Sequence, residues 1–188
     1  MTSAPLRKDA AHNRQRIITA GRRMVDEGEP LLLNDVARRA GVGVATTYRN
    51  FPTPEALLET IAAPCFASLI DEARAALAAP DPGEGLTALL GTIVDAQVTD
   101  ASLSPVMAAA RNALPQTQTL KQSLVVSAAE VLSRAQNHGA VHRDLTVEDL
   151  VAIVCGIAHA AHVRAHDREA VRVAARRYLH VALHGVRP

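Results

Sequence analysis

Apolar residues return along this chain at helical intervals, and the turns between them are marked by glycine and proline. From His12 to Glu27 the positions Ile17, Ile18, Ala20, Met24 and Val25 keep that spacing and predict a first helix, ended by Gly28 with Pro30 just beyond. A second short helix is expected from Leu33 to Ala40, where Gly41 stops it. A third follows Gly43 and ends at Phe51, because Pro52 blocks continuation. Thr53-Pro54-Glu55 has the order of an N-cap, a first-turn proline and a first-turn acid. The fourth helix it opens carries Leu57, Leu58, Ile61, Phe66, Leu69, Ile70 and Leu77, and Pro64 should kink or divide it.

Pro80-Asp81-Pro82-Gly83-Glu84-Gly85 reads as the clearest loop of the chain. Beyond it we expect a helix to about Asp100, a short one around Pro105–Leu114 and a longer one from Pro115 to Asn137, closed by Gly139. Thr146, with Asp149 three positions on, opens a helix running to His166 in a weaker form of the capping box. The last helix runs from about Asp167 to His184 and ends at Gly185. The fold class is therefore all-α, with three short helices followed by a larger bundle of about six. The boundary falls between residues 1–53 and 54–188.

Composition agrees. Alanine, the best helix former, fills 36 of 188 positions, against two Phe, two Tyr and no Trp. No apolar stretch reaches the roughly 18 residues of a membrane span, and the charged start lacks the apolar core of a secretory leader. Cys65 and Cys155 make no disulfide framework and suit a reducing, cytoplasmic setting. The net charge of +1 conceals an asymmetry: residues 1–55 hold nine Lys and Arg against six acids. Six of those nine precede Met24, beside Asp9 alone. A basic head on a slightly acidic body suits a polyanion partner at that end, although a merely solvated helix face would look the same.

Leu31–Phe51 has the build of a helix-turn-helix. Two short helices meet at Ala40-Gly41-Val42-Gly43, and Val36, Ala37 and Ala40 offer a small apolar face for packing. The second helix, Val44-Ala45-Thr46-Thr47-Tyr48-Arg49-Asn50-Phe51, offers methyls, hydroxyls, a phenol, a guanidinium and an amide suited to a major groove.

Residues 12–60 resemble the tetracycline-repressor (TetR) family of bacterial regulators. The stretch Asp35-Val36-Ala37-Arg38-Arg39-Ala40-Gly41-Val42, then Thr46-Thr47-Tyr48-Arg49-Asn50-Phe51-Pro52-Thr53-Pro54-Glu55-Ala56-Leu57-Leu58, follows that family's signature nearly residue by residue. The resemblance implies a homodimer that represses from a palindromic double-stranded DNA operator and is released by a small-molecule effector in the C-terminal domain. By position it makes Tyr48, Asn50 and Thr46 the leading DNA contacts, then Thr47, Val44 and Arg49, with Arg14 and Arg16 reaching phosphate from the first helix. Arg22 and Arg23 read as plain solvated charge, and Phe51 as core. Three departures stand out. Leu31-Leu32 replaces a capping Thr or Ser, leaving Asn34 to cap or the first amides uncapped; Gly43 replaces a capping Ser; and Pro54 replaces a phosphate-binding lysine.

In the C-terminal part Cys155, His159, His162 and His166 form a stripe at i, i+4, i+7 and i+11. His159 and His162 could chelate a transition metal, which would make a metal-responsive regulator. Four groups along about 16 Å of helix cannot reach one ion, so a histidine-bearing seam between helices is the stronger expectation and no cofactor is expected. Leu150, Val154, Ile157 and Ala161, with Val171, Ala175, Tyr178 and Ala182, are expected at an intersubunit four-helix bundle. Phe66, Gln97, Met107 and Arg111 are expected to line an effector pocket, and the dearth of aromatics favours an aliphatic or small polar ligand. A helical-bundle enzyme is the remaining alternative, but the paired Glu-x-x-His elements, His-Glu-x-x-His, nucleophile elbow and dinucleotide fingerprint are all absent.

Overall fold

A computed structural model describes residues 4–165 and 167–185, and among these the chain is helical throughout, without strands. The helices are α1 (Ala4–Asp26), α2 (Leu33–Ala40), α3 (Val44–Asn50), α4 (Pro54–Leu77), α5 (Pro82–Thr99), α6 (Leu103–Ala108), α7 (Pro115–Asn137), α8 (Val147–Arg164) and α9 (Arg168–Gly185). None of the described helices is long and apolar enough to cross a membrane.

The terminators act as their chemistry requires. Gly41 closes α2 at φ 59°; its amide returns to Arg38 O and that of Val42 to Ala37 O, the paired bonds of a Schellman ending. Gly28 and Gly139 close α1 and α7 in the same left-handed region, at φ 72° and 77°. Thr53 Oγ1 accepts from Ala56 N at 3.2 Å, and Pro54 opens α4 behind it. At α8 the full capping box forms: Thr146 Oγ1 accepts from Asp149 N at 3.1 Å, and Asp149 Oδ2 accepts from Thr146 N at 2.9 Å. α2 begins at Leu32 without a side-chain cap, so Asn34 does not take that role.

Two expectations need correction and one is narrowed. Pro64 does not divide α4, which runs through it. Pro80–Gly85 is mostly helix: Asp81 Oδ1 accepts from Gly83 N and Glu84 N at 2.7 and 2.9 Å, with Pro82 at the first turn of α5. The Asp-Pro pair is thus a helix start of the same kind as Thr53-Pro54. The short helix lies at Leu103–Ala108, and 109–114 is an irregular strap.

Two apolar cores form. The smaller joins Ile17, Met24, Leu33, Val36, Ala40, Val42 and Phe51 to Leu57 and Ile61 of α4. The larger begins at Ala62 and is built from α4 through α9. The core therefore changes hands along α4, so this helix is mechanically part of both. With Ile17, Val36 and Leu57 fully buried, each side chain contributes about 1.5–3 kcal/mol to holding the small core.

Candidate nucleic-acid interface and effector cavity

α3 sets its side chains by the helical period. Val44, Ala45, Tyr48 and Arg49 share its exposed face, and Val44 and Tyr48 are 48% and 45% exposed despite their apolar bulk. Thr46 and Asn50 lie at the margins of that face, half-buried. Asn50 Nδ2 donates to Thr46 O at 2.8 Å, and Arg49 Nη2 donates to Thr46 Oγ1 at 2.8 Å. Thr47 must be removed from the expected contacts: it is fully buried, and its hydroxyl donates back to Gly43 O at 3.3 Å. One step of 100° turns it from the exposed face to the core. Phe51 is core, as its register requires.

The basic residues of α1 divide into separate tasks. Arg14 lies over the Phe51 ring, 5.1 Å from its centroid, which leaves the guanidinium at the end of α3. Arg16 Nη2 donates to Gly41 O at 3.1 Å and so stands at the turn between α2 and α3. Arg22 is not plain solvated charge. Its guanidinium grips Asp100 at the end of α5 through two bonds of 2.6 and 3.2 Å, and also donates to Ile61 O at 2.9 Å. Burial pushes the Asp100 carboxyl up, but the Arg22 bonds and the Ser102 hydroxyl and amide outweigh it, leaving the acid below its usual range. The Asp100 bond conversely raises Arg22. This pair clamps the N-terminal helices to the bundle.

Inside the bundle α4, α5, α6, α7 and α8 enclose a small cavity of about 70 Å³. Of the four residues proposed for an effector pocket, Phe66 and Met107 line this cavity, whereas Gln97 and Arg111 do not. Gln97 is buried elsewhere, with an unpartnered side-chain nitrogen, and Arg111 is exposed. Leu150 and Val154, expected at a partner, face the cavity instead. Ile157, Ala161, Val171 and Ala175 are likewise buried in this subunit's own core, so none of these six side chains is left to cover a second copy. A helix that looks apolar all round was being filled from within by α5, α7 and α9, not from outside. Tyr178 and Ala182 are half-buried at the margin.

The wall carries one charge that periodicity did not single out. Lys121 Nζ donates to Val106 O at 3.1 Å and to Ala109 O at 2.8 Å, closing the end of α6. Burial lowers its ammonium below the usual lysine range, against an opposing pull from the Glu59 carboxylate and, more weakly, from Cys155. Glu59, on α4, is itself buried: its oxygens accept from Ala113 N and Leu114 N at 2.7 and 2.8 Å. It thereby holds the two amides that lead into α7, whose N-cap position, Leu114, has no side-chain cap.

The histidine stripe comes apart. Cys155 is half-buried and feels Lys121, while His159 and His162 are exposed, with His162 Nδ1 held by Ala158 O at 2.8 Å. His166 lies outside the described residues. Among those described, no three His, Cys, Asp or Glu side chains gather as a metal site.

Residues 81–188 match the family model of the C-terminal domain of SbtR-like transcriptional regulators, a TetR-type domain. A TetR transcriptional regulator of Streptomyces coelicolor, SCO0520, is 32% identical over 93% of this chain and 98% of its own, with a TM-score of 0.57. A TetR regulatory protein of Mycobacterium vanbaalenii is 29% identical over 98% of this chain and 100% of its own, with a TM-score of 0.54. FadR of Thermus thermophilus, a TetR-family repressor solved with lauroyl-CoA, shares the fold at 21% identity and a TM-score of 0.60, covering 92% of this chain and 94% of its own. No curated protein matches the chain in sequence.

Proposed function

Since the chain belongs to the TetR family of transcriptional regulators, we propose that it is a cytoplasmic, homodimeric repressor released from a palindromic operator by a small molecule. The observation that carries the DNA-reading half is the exposed face of α3, where Val44, Tyr48 and Arg49 stand clear of the protein beside the half-buried Thr46 and Asn50. A valine and a phenol ring left in water by a helix whose Thr47 is fully buried have no packing role, and they suit thymine methyls and phosphates. Arg14 and Arg16 flank that face from α1. Two such helices, about 34–36 Å apart in a dimer, would enter successive major grooves of one face of DNA.

The outer faces of α8 and α9 support the dimer. Ala152, Gly156 and Ala160 form an exposed small-residue stripe on α8, next to Val163, which is 67% exposed. Val173 and Val181 of α9 are 59% and 64% exposed. Their exposure supports a seam at these positions in place of the buried set expected above, with exposed His159 and His162 at its border.

An electrophoretic shift with DNA from upstream of the protein's own gene tests the reading. A specific complex that weakens steeply with salt is expected, and Tyr48→Ala with Arg14→Ala should weaken it at least tenfold. Binding that is indifferent to sequence and salt refutes the proposal.

A further inference from the structure

The repressor reading leaves the effector's chemistry open, and the cavity narrows it. We propose, resting on that reading, that the effector is an aliphatic monocarboxylate whose acid pairs with Lys121 and whose tail enters the cavity. Every other side chain on the wall is apolar. An ammonium has three N–H donors, and here Val106 O and Ala109 O take two. No carboxylate lies within ion-pairing distance of Lys121 among the described residues. A half-buried cation with a spare donor and an apolar chamber beside it is complementary to a molecule with one acid and a hydrocarbon chain. Flat aromatic ligands suit it less, because Phe66 supplies the only ring.

Size sets the tail. At about 70 Å³ the chamber is under half the roughly 150 Å³ cavity that admits benzene. It therefore takes a short tail as it stands, and a longer one by spreading Met107, Val125 and Val151, of which the two valines are each 36% exposed. The same lysine offers a route to the DNA-reading helices. The carbonyls it holds belong to the end of α6 and the start of the 109–114 strap, while the amides at the far end of that strap are held by Glu59 of α4. An acid bound at the spare donor competes with Val106 O and Ala109 O for the same ammonium and weakens both bonds. The strap then loosens at one end while remaining tied to α4 at the other.

Isothermal calorimetry on the full chain with butyrate, hexanoate and octanoate, each beside its matched alcohol, tests the site. Hexanoate should bind at least tenfold more tightly than 1-hexanol, and each methylene that enters the chamber should add about fourfold. Lys121→Met should abolish the preference for the acid and leave the alcohol's affinity unchanged, with Lys121→Gln as the second variant should Met fail to fold. Equal binding of acid and alcohol by the unaltered protein overturns the proposal, as does an acid preference that survives in the folded variant. Acid binding without any loss of operator affinity overturns the effector assignment while leaving the repressor reading intact. A ligand-free protein that binds no DNA overturns the repressor reading instead, and calorimetry still decides the carboxylate site.

Discussion

Gly41 ends α2 at φ 59°, and its carbonyl receives the Arg16 guanidinium, so one residue fixes both the turn and a flanking cation. A β-carbon built there would come within 2.5 Å of Arg16 Nη2. That flexible side chain could move aside, but the left-handed backbone would remain, at a cost of about 1–2 kcal/mol for an L-residue. Gly41→Ala should therefore lower stability by about that amount and displace Arg16, which chemical denaturation and the DNA shift assay would register separately. Glycine punctuation is local chemistry and could be read from the chain directly. Thr47 could not be placed so easily, because four of the five residues from Val44 to Tyr48 are compatible with either side of a short helix. Only the packing of α3 against α2 and α1 chooses which face turns inward.

At the scale of the element, α7 and α8 start in opposite ways. α8 carries its cap in its own sequence, at Thr146 and Asp149. α7 opens on Leu114-Pro115 without a side-chain cap, and the amides leading into it are held by Glu59, 55 residues before Leu114. No window of sequence around α7 contains that information. Replacing the buried carboxylate by an amide puts an NH₂ where at least one backbone N–H needs an acceptor. Glu59→Gln should accordingly cost about 2–3 kcal/mol, visible as a lowered Tm and as faster amide exchange at Ala113 and Leu114. An unchanged exchange rate there would show that solvent, not Glu59, satisfies the helix start. At α5 the start Asp81-Pro82 is legible, but five turn-forming residues among the six from Pro80 to Gly85 read more strongly as a loop than as a cap and a first-turn proline.

At the scale of the molecule, Arg22 and Asp100 join α1 to the bundle, and the joint is titratable. The Asp100 carboxyl lies below its ordinary value in the folded protein. Its contribution is therefore complete above the unfolded-state value, about 3.9, and is lost as pH falls through the lower folded value. Asp100→Asn should cost about 1–2 kcal/mol at neutral pH. It should also make the acid limb of stability shallower than in the unaltered protein, as followed by urea denaturation between pH 6 and 3. Parallel acid limbs in the two proteins would show that the clamp contributes nothing to the pH dependence. On the proposed repressor reading, the same clamp would carry a shift in α4–α6 to α1 through Asp100 as well as through Ile61, whose carbonyl Arg22 also holds.

The helical class, the three-helix head and most helix ends follow from residues close together in sequence, because caps, prolines and the 3.6-residue period act over one or two turns. Phe66 and Met107 were also within reach, as apolar residues on helices that had to meet. Tertiary structure alone decided which apolar faces met each other and which long side chains found distant partners. Leu150 and Val154 turned to a cavity rather than a partner, Arg22 found Asp100, and Glu59 took the amides of Ala113 and Leu114. Apolar burial is non-directional, so a helix apolar on most sides does not say which neighbour covers which side, and a buried charge can be satisfied by any group the fold brings within about 3 Å.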